Sequence, residues 1–184
     1  RRGQQVLVNG ASGSVGSYGV QLARYFGAEV TGVCGSGNLE FVKSLGANRV
    51  IDYTREDFTR IKDSFDIVFD AVGKSSFSRC KGILKPGGVY LSTVLSPGIV
   101  LQTLWTRIAG GKRAKIALTG LRPAADKARD LDLIGGLVEA REIRAVIDRT
   151  YPLEQVAEAH RHVETGHKKG NVVLVMGGSD GNPA

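Results

Sequence analysis

The sequence predicts an α/β fold in which a doubly wound parallel sheet of six strands carries helices on both faces. Short β-rich runs alternate with helical patterns along most of the chain, which is typical of parallel sheets with right-handed crossovers. A glycine-rich turn joins the first strand to the first helix. The length of 184 residues, with 42% hydrophobic and 23% charged residues, is that of an ordinary globular chain. The switch point, where the order of the strands reverses, is expected between the first and fourth strands.

The first part of the chain alternates strands with helices. Strands are predicted at Gln5–Asn9, Glu29–Val33 and Arg49–Asp52, which are short runs bounded by turn residues. Apolar residues recur at helical spacing over Ser14–Phe26, and a shorter helix is predicted over Leu39–Leu45. Each helix is followed by a glycine, a residue that commonly ends helices, so the boundaries follow from the sequence.

The same alternation continues in the middle of the chain. A fourth strand is predicted at Phe65–Asp70, a helix at Ser75–Leu84 and a turn at Pro86-Gly87-Gly88. A fifth strand is then expected at Val89–Thr93 and a sixth at Lys115–Thr119. These strands complete the sheet.

After about Ala140 the pattern changes. A strand at Ala145–Asp148, a helix at Leu153–Glu164 and a strand at Asn171–Met176 are predicted. They do not extend the first sheet in an obvious way, so we expect them to pair with strands outside this chain.

Three segments therefore organise the chain. Residues 1–140 are predicted to form one domain, and residues 141–176 to belong to a second one. Residues 177–184, rich in glycine with serine and proline, are predicted to be a flexible tail. The first residue is Arg1 rather than methionine, so we expect the chain to be part of a longer protein.

Composition excludes several classes of protein. Two cysteines, Cys34 and Cys80, are too few for a disulfide scaffold and do not form the paired spacing of a zinc ribbon. No apolar run approaches the ~18 residues that cross a membrane. The basic clusters, such as His167-Lys168-Lys169, lack interleaved aromatic residues and are best explained as solvated surface, with some steering of an anionic ligand. A cytoplasmic protein that binds neither membrane nor nucleic acid is predicted, and its net charge of +7 suits an anion.

The turn Gly10–Gly16 carries the strongest chemical signal. Aligned with the pattern G-x-G-x-x-G, it has Ala11 at the first position and Gly13 and Gly16 at the other two. Glycines there let the backbone approach a pyrophosphate and let the helix pack close to the strand. The start of the helix offers unpaired N–H groups to the phosphates. In its strand–turn–helix context the motif predicts a Rossmann domain that binds a dinucleotide, the alternative being a purely structural turn.

The end of the second strand favours NADPH over NADH. An NAD site usually places an acidic residue there to bind the ribose 2′-hydroxyl, but none occurs between Glu29 and Glu40. Ser36, Asn38 and the amides around Gly35 are expected to donate to a 2′-phosphate, with Tyr53 close by.

The fourth and fifth strands end at the same crevice, where a nicotinamide ribose and ring would lie. Val72, Gly73 and Ser92 occupy those ends, although an ordinary strand-to-helix turn explains them equally well. No catalytic residue and no metal ligand can be assigned. The predicted cofactor-binding residues are Ser12, Gly13, Ser14, Val15, Gly16, Gly35, Ser36, Asn38, Tyr53, Val72, Gly73 and Ser92.

Together these motifs resemble the medium-chain dehydrogenase/reductase superfamily, in its quinone oxidoreductase-like branch. The resemblance covers nearly the whole chain apart from the tail. It is carried by Val6–Gly16, Gln21-Leu22-Ala23, Val42–Ala47, Val50–Tyr53, Lys85–Gly88, Tyr151–His160 and Gly170–Leu174. Asn171 departs from the pattern, since relatives usually carry a lysine there, which puts cofactor contact from that position in doubt.

The resemblance implies that a GroES-like substrate domain precedes this chain and that the last strands return to it. It implies that Ser36, Asn38 and Tyr53 hold the 2′-phosphate of NADPH, and that sixth strands pair edge to edge in a homodimer. The implied reaction transfers hydride to a quinone or an α,β-unsaturated carbonyl, and this chain alone is expected to have negligible turnover. Two alternatives stay open: a zinc-dependent alcohol dehydrogenase whose zinc ligands lie upstream, and a non-catalytic NADPH-binding module.

Overall fold

The computed structural model describes residues 2–62 and 64–176, and the predicted tail at 177–184 lies outside the described residues. Its main sheet has six strands in the order β3-β2-β1-β4-β5-β6, all neighbouring pairs being parallel. The strands are β1 (Gln5–Asn9), β2 (Glu29–Cys34), β3 (Arg49–Asp52), β4 (Phe65–Asp70), β5 (Leu84–Ser92) and β6 (Arg113–Ile116). The doubly wound Rossmann prediction is confirmed, with the switch point between β1 and β4.

Six α-helices accompany the strands in the described residues. They are α1 (Ser14–Tyr25), α2 (Leu39–Ser44), α3 (Phe77–Cys80), α4 (Pro97–Ala109), α5 (Ala124–Glu139) and α6 (Val156–Glu164). No element was predicted for the stretches that form α4 and α5. A start signal exists for α4, because the Ser96 hydroxyl accepts from the Ile99 N–H and Pro97 follows at the first helical position. None of the described helices has the length and apolarity needed to cross a membrane.

The predicted helix and turn between β4 and β5 are only partly right. Beyond the four residues of α3 the chain forms a 3₁₀ turn over Lys81–Ile83, and β5 already begins at Leu84. Pairing shifts from Phe65 opposite Leu84 to Ile67 opposite Val89, so the predicted glycine turn is an irregularity inside β5. The predicted sixth strand, Lys115–Thr119, begins two residues earlier in the structure and ends at Ile116.

The C-terminal part forms a second, two-stranded parallel sheet. Its strands are β7 (Ile147–Pro152) and β8 (Asn171–Val175), joined through α6. The two strands pair with each other, and further pairing with strands outside this chain stays a prediction. The segment also contacts α1, because the Gln21 side-chain amide accepts from the Arg144 N–H at 2.8 Å and donates to the Arg144 carbonyl at 3.2 Å.

The core occupies both faces of the main sheet. Along β1, Leu7 packs into one cluster, whereas Val6 and Val8 pack into the other. The first cluster also contains Phe65 and Tyr90, the largest side chains that are fully buried. Burial on both faces explains why the strands are apolar runs rather than strictly alternating sequences. The sheet therefore presents its strand ends rigidly.

The start of α1 lies very close to the turn that precedes it. A Cβ atom placed on Gly16 would lie 2.0 Å from the carbonyl oxygen of Gly10, a distance that no relaxed side chain shows. Gly10 itself has a φ of +79°, which favours glycine. Both glycines of the turn are thus required by the geometry of the backbone.

We expect Gly16→Ala to lower the free energy of unfolding by ~1–3 kcal/mol, because the added methyl group must push α1 away from β1. Urea denaturation measures the change. The matched control is Gly98→Ala near the start of α4, where a Cβ would meet nothing within 4 Å. That variant should gain up to about 1 kcal/mol from helix propensity. Equal losses in both variants would contradict the close approach.

Candidate functional site

The carboxyl ends of β1, β2, β4 and β5 surround one crevice at the switch point of the sheet. The turn after β1 is tied to β2, since the N–H groups of Gly10 and Ala11 both donate to the Val33 carbonyl, at 3.1 and 3.0 Å. Within the turn, the Gly13 N–H donates to the Gly10 carbonyl at 3.0 Å. In doubly wound sheets this crevice is where ligands bind.

The amino end of α1 faces this crevice without a cap. Gly13 occupies the N-cap position in an extended conformation, and in the described structure no side-chain oxygen accepts the first N–H groups. The first turn also contains no acidic residue. Unpaired N–H groups and the positive end of the helix dipole therefore remain available at Ser14, Val15 and Gly16, which is an arrangement suited to a phosphate.

The turn after β2 brings most of the predicted 2′-phosphate residues together. Asn38 Nδ2 donates to Ser12 Oγ at 3.3 Å, which joins this turn to the one after β1. The Tyr53 ring lies over Gly35, whose hypothetical Cβ would lie 3.4 Å from the tyrosine hydroxyl oxygen, and the ring is 61% exposed. Ser36 lies in the same turn, so the predicted residues form one contiguous surface.

An acidic residue that the sequence reasoning did not use lies beside Ser36. Ser36 Oγ donates to Asp52 Oδ2 at 2.5 Å, while the N–H and hydroxyl of Thr54 donate to Asp52 Oδ1 at 2.9 and 2.7 Å. These hydrogen bonds, the Ser36 bond foremost, hold the pKa of the Asp52 carboxyl below its usual value. Asp52 ends β3, whereas an acidic residue that binds the ribose was expected from the sequence at the end of β2. The predicted pocket therefore contains a hydrogen-bonded carboxylate.

Asp70, at the end of β4, organises the other half of the crevice. Its side chain is fully buried and accepts five hydrogen bonds from three parts of the chain. The donors are Asn9 Nδ2 at 3.0 Å, the N–H groups of Val72, Gly73 and Ser75 at 3.1, 2.9 and 3.2 Å, and the Tyr90 hydroxyl at 2.7 Å. The carboxylate thereby fixes the loop that contains the predicted residues Val72 and Gly73.

Tyr90 remains a phenol in this arrangement. Burial, together with its hydrogen bond to Asp70, raises the pKa of the Tyr90 hydroxyl far above its usual value. A neutral hydroxyl can donate, so the pair is complementary. This pair was not predicted from the sequence, because Tyr90 lies inside β5 and no local pattern relates it to Asp70.

The loops after β4 and β5 touch each other. A Cβ on Gly73 would lie 2.6 Å from the Val94 side chain, and Gly73 has a φ of +75°. Ser92 Oγ donates to the Val94 carbonyl and accepts from the Val94 N–H, both at 3.1 Å. The hydroxyl of Ser92 thus shapes its own loop, and its contact with a nicotinamide stays a prediction.

A lysine from the C-terminal part also reaches the turn after β1. Lys168 Nζ donates to Ser14 Oγ at 2.6 Å, although its cluster was interpreted from sequence as surface. Lys43, in contrast, is a surface residue paired with Glu40 at 2.7 Å. Asn171 donates to the Val146 carbonyl at 3.0 Å and to the Tyr18 hydroxyl at 3.4 Å, which are contacts within the protein.

A separate cleft, of about 750 Å³, lies where α1 and α2 end. Arg24, Arg141 and Arg144 are among its lining residues. It opens at the amino ends of the strands, away from the turn after β1, so it does not share the crevice's chemistry. Over residues 2–62 and 64–176, His, Cys, Asp and Glu side chains form no group of three or more that could hold a metal ion.

Comparisons with known proteins agree with this geometry. The family model described as a zinc-binding dehydrogenase matches residues 45–174. The mitochondrial NAD(P)H oxidoreductase RTN4IP1 of Mus musculus is 37% identical over 191 residues, covering 94% of this chain and 48% of the mouse protein. This chain belongs to the medium-chain dehydrogenase/reductase superfamily. Within it the chain is quinone oxidoreductase-like, as the sequence motifs predicted.

Two further relatives support this membership. The 2-methylene-furan-3-one reductase of Solanum lycopersicum is 34% identical over 176 residues, covering 94% of this chain and 40% of that protein. The structure of the quinone oxidoreductase from Coxiella burnetii superposes with a TM-score of 0.81 at 30% identity, covering 95% of this chain and 53% of the other. The chain thus spans about half the length of the relatives it matches.

We expect Asp70→Asn to lower the free energy of unfolding by roughly 3 kcal/mol or more. The asparagine NH2 group would replace one accepting oxygen and would face N–H or O–H groups that then have no acceptor. Thermal and urea unfolding measure the loss. Asp126→Asn is the control, since Asp126 pairs with exposed Arg129 at 2.7 Å, and the loss of such a surface pair should cost less than ~1 kcal/mol. A similar, small loss in both variants would show that Asp70 does not organise the crevice.

Proposed function

We propose that this chain is the NADPH-binding domain of an oxidoreductase that transfers hydride to a quinone or an α,β-unsaturated carbonyl compound. The observation that carries the proposal is the uncapped amino end of α1, which opens on the switch-point crevice next to the surface formed by Gly35, Ser36, Asn38 and Tyr53. A quinone oxidoreductase and a 2-methylene-furan-3-one reductase among the similar proteins support the substrate class.

The residues present fit a dinucleotide. The turn from Ser12 to Gly16 would hold the pyrophosphate, because the first N–H groups of α1 have no side-chain cap. Gly16 keeps the helix close to this turn, since a side chain there would strike the Gly10 carbonyl. Val15 and Val72 are 50% and 41% exposed at this crevice and offer apolar contact beside the polar turn. Apolar walls with a few polar groups are typical of cofactor sites.

The preference for NADPH rests on the turn after β2. Asn38 and the nearby backbone amides would donate to a 2′-phosphate, Ser36 would lie beside it while its hydroxyl stays bonded to Asp52, and Tyr53 would pack beside the adenosine. Asp52 opposes this assignment by its charge. Its two oxygens, however, already accept hydrogen bonds from Ser36 and Thr54, and the Arg55 guanidinium lies 3.6 Å away, so much of that charge is compensated. We therefore retain NADPH as the proposed cofactor.

When bound, the nicotinamide would supply a hydride, and the chain would orient it rather than perform the chemistry. Val72 and Gly73 would contact its ribose from a loop that Asp70 holds in place, and Ser92 would lie near the ring. Rigid positioning of this kind accelerates transfer by holding the reacting atoms in line. No described residue is assigned a proton transfer.

Residues 1–140 are proposed as the cofactor domain and residues 141–176 as part of a substrate domain whose GroES-like portion lies outside this chain. Relatives about twice as long support this division.

A homodimer is also proposed, through β6, which has one sheet neighbour among the described strands. This strand lies next to α4, whose Leu101, Trp105 and Ile108 are exposed. The cytoplasm is proposed as the compartment, on the two free cysteines Cys34 and Cys80.

A zinc-dependent alcohol dehydrogenase is the second candidate, favoured by the description of the matching family. The described residues offer no zinc site, so no step is derived through that metal. A non-catalytic NADPH-binding module is the third candidate. Turnover of the full-length protein separates the three: quinone reduction that survives a zinc chelator is expected, alcohol oxidation that a chelator abolishes supports the second, and no turnover supports the third.

Binding of NADPH to the 184-residue chain is expected to be at least about tenfold tighter than binding of NADH, because a phosphate gains charge-assisted hydrogen bonds. Fluorescence titration with both nucleotides measures this ratio. Tighter binding of NADH would overturn the cofactor assignment.

The chain alone is expected to show negligible quinone reduction, and substantial turnover would contradict the need for a second domain.

Ser36→Glu is expected to weaken NADPH binding by about tenfold or more and to affect NADH much less, since the new carboxylate would repel a 2′-phosphate. Ser44→Glu at the exposed end of α2 adds the same charge away from this turn and serves as the control. If both variants lose NADPH affinity equally, a general charge effect would replace the proposed 2′-phosphate site.

A further inference from the structure

The cleft at the amino ends of the strands is rich in unpaired positive charge. Its lining of about 750 Å³ includes four arginines, Arg2, Arg24, Arg141 and Arg144, and one acidic residue, Glu142. Four positive charges against one negative leave a formal charge of +3. In the described parts of the chain no carboxylate forms an ion pair with any of these arginines. A cavity of this volume can hold a small molecule.

The backbone of Arg144 is fixed at the wall of the cleft. The buried Gln21 side chain accepts from the Arg144 N–H at 2.8 Å and donates to the Arg144 carbonyl at 3.2 Å. The Arg144 guanidinium then reaches the end of α2, where Nη2 donates to Ser44 Oγ at 3.3 Å. A hydroxyl group carries no charge, and a guanidinium has five N–H donors, so most of its donors remain for a ligand.

Two glycines allow the side chains of Arg2 and Arg24 to lie close to the backbone of the cleft. A Cβ on Gly27 would lie 2.8 Å from Arg2 Cγ, and a Cβ on Gly46 would lie 3.0 Å from Arg24 Cγ. A larger residue at either glycine would displace the arginine beside it. The stems of both arginines are thus held against fixed parts of the chain.

Arg141 occupies a backbone conformation that disfavours its residue type. Among the described residues it is the one residue other than glycine with a positive φ, of +58°. It follows Ala140, the C-cap of α5, at the position where helices usually carry glycine. A strained residue of this kind is often found where its side chain serves a site. The charge of Arg141 on the lining of the cleft gives it such a use.

The arginines are more than partners for the helices that end at the cleft. Three helices, α1, α2 and α5, end there, and each carboxyl end contributes about half a negative charge, roughly −1.5 in all. This is less than the +3 of the side chains. At the ends of α1 and α5, backbone N–H groups already bond to the carbonyls of Ala23 and Arg24 and to those of Leu137 and Val138. The cleft therefore keeps an excess of positive charge.

We propose that this cleft binds a small multivalent oxyanion, a compound that carries two or more phosphate or carboxylate groups. Guanidinium groups match both kinds of oxyanion through paired N–H donors. The proposal goes beyond the proposed function and does not rest on it, because the cleft lies at the opposite end of α1 from the glycine-rich turn. Both ligands can therefore be bound at the same time.

Inorganic pyrophosphate and citrate are the two probes, one for phosphate ligands and one for carboxylate ligands. Each is titrated into the 184-residue chain with and without saturating NADPH, and backbone amide chemical shifts report where it binds. Arg24→Gln and Arg144→Gln each remove one positive charge, and the bonds of Gln21 to residue 144 survive because they involve only its backbone. Arg107→Gln, at an exposed position of α4, removes the same charge away from the cleft and is the matched control.

Saturable shifts are expected at residues 24–27, 44–46 and 141–144 for at least one probe, with or without NADPH. Arg24→Gln and Arg144→Gln should each weaken that binding by about fivefold or more, and Arg107→Gln should leave it unchanged. The tighter probe shows whether the ligand is a phosphate or a carboxylate compound. Absence of saturable shifts at these residues, or an equal loss in Arg107→Gln, overturns the proposal while leaving the proposed function intact. So does binding by the chain that the full-length protein lacks, because another part of the protein would then cover the cleft.

Arg141→Gly should change stability and binding in opposite directions. Glycine adopts a positive φ without strain, so the midpoint of thermal unfolding should rise by roughly 2 °C. Loss of the guanidinium should weaken binding of the tighter probe by about fivefold or more. A rise in the midpoint without any loss of affinity would contradict the role of Arg141 in the site, and with it the proposal.

Discussion

The buried carboxylate of Asp70 is the constraint on which the crevice depends. It joins β1 through Asn9, β5 through Tyr90 and the loop after β4 through three backbone N–H groups. A carboxylate without these donors would be strongly disfavoured in the core, so the hydrogen bonds to Asp70 depend on one another. Together they hold the strand ends at the switch point in one arrangement. They do not use the N–H groups at the start of α1, which remain available to a ligand.

The charge of the crevice differs between the turn after β1 and the turn after β2. At the turn after β1 the helix amino end and Lys168 are both positive, without a carboxylate paired to either in the described structure. At the turn after β2 the Asp52 carboxylate is satisfied by Ser36 and Thr54. The proposed pyrophosphate site thus lies at the positive turn after β1, and the proposed choice between the two nicotinamide dinucleotides lies at the turn after β2. The net charge of +7 is thus less informative than the placement of these few groups.

The sequence was sufficient where local chemistry decides the structure. β1, β3 and β4 have the predicted bounds, and the turn at Gly10–Gly16 is placed where its glycines require it. It was insufficient where the partner lies far along the chain. The hydroxyl of Tyr90 and the carboxylate of Asp70 are 20 residues apart, and Lys168 and Ser14 are 154 apart, so no spacing rule relates them. A lysine in a basic cluster looks like solvated surface until the β8 loop is seen to cross the turn. The irregular β5 was missed for the same reason, because only pairing with β4 shows where Val89 belongs.

The central claim is that one dinucleotide lies across the ends of β1 and β2 and along the start of α1. Backbone amide chemical shifts, measured by NMR during titration with NADPH, test it most directly because they report on each position separately. The account predicts that the largest saturable shifts fall at residues 12–16, at 35–38 and in the loop before β8. Shifts concentrated instead around Arg24 and Arg144, in the cleft at the opposite end of α1, would contradict it, as would the absence of saturable shifts.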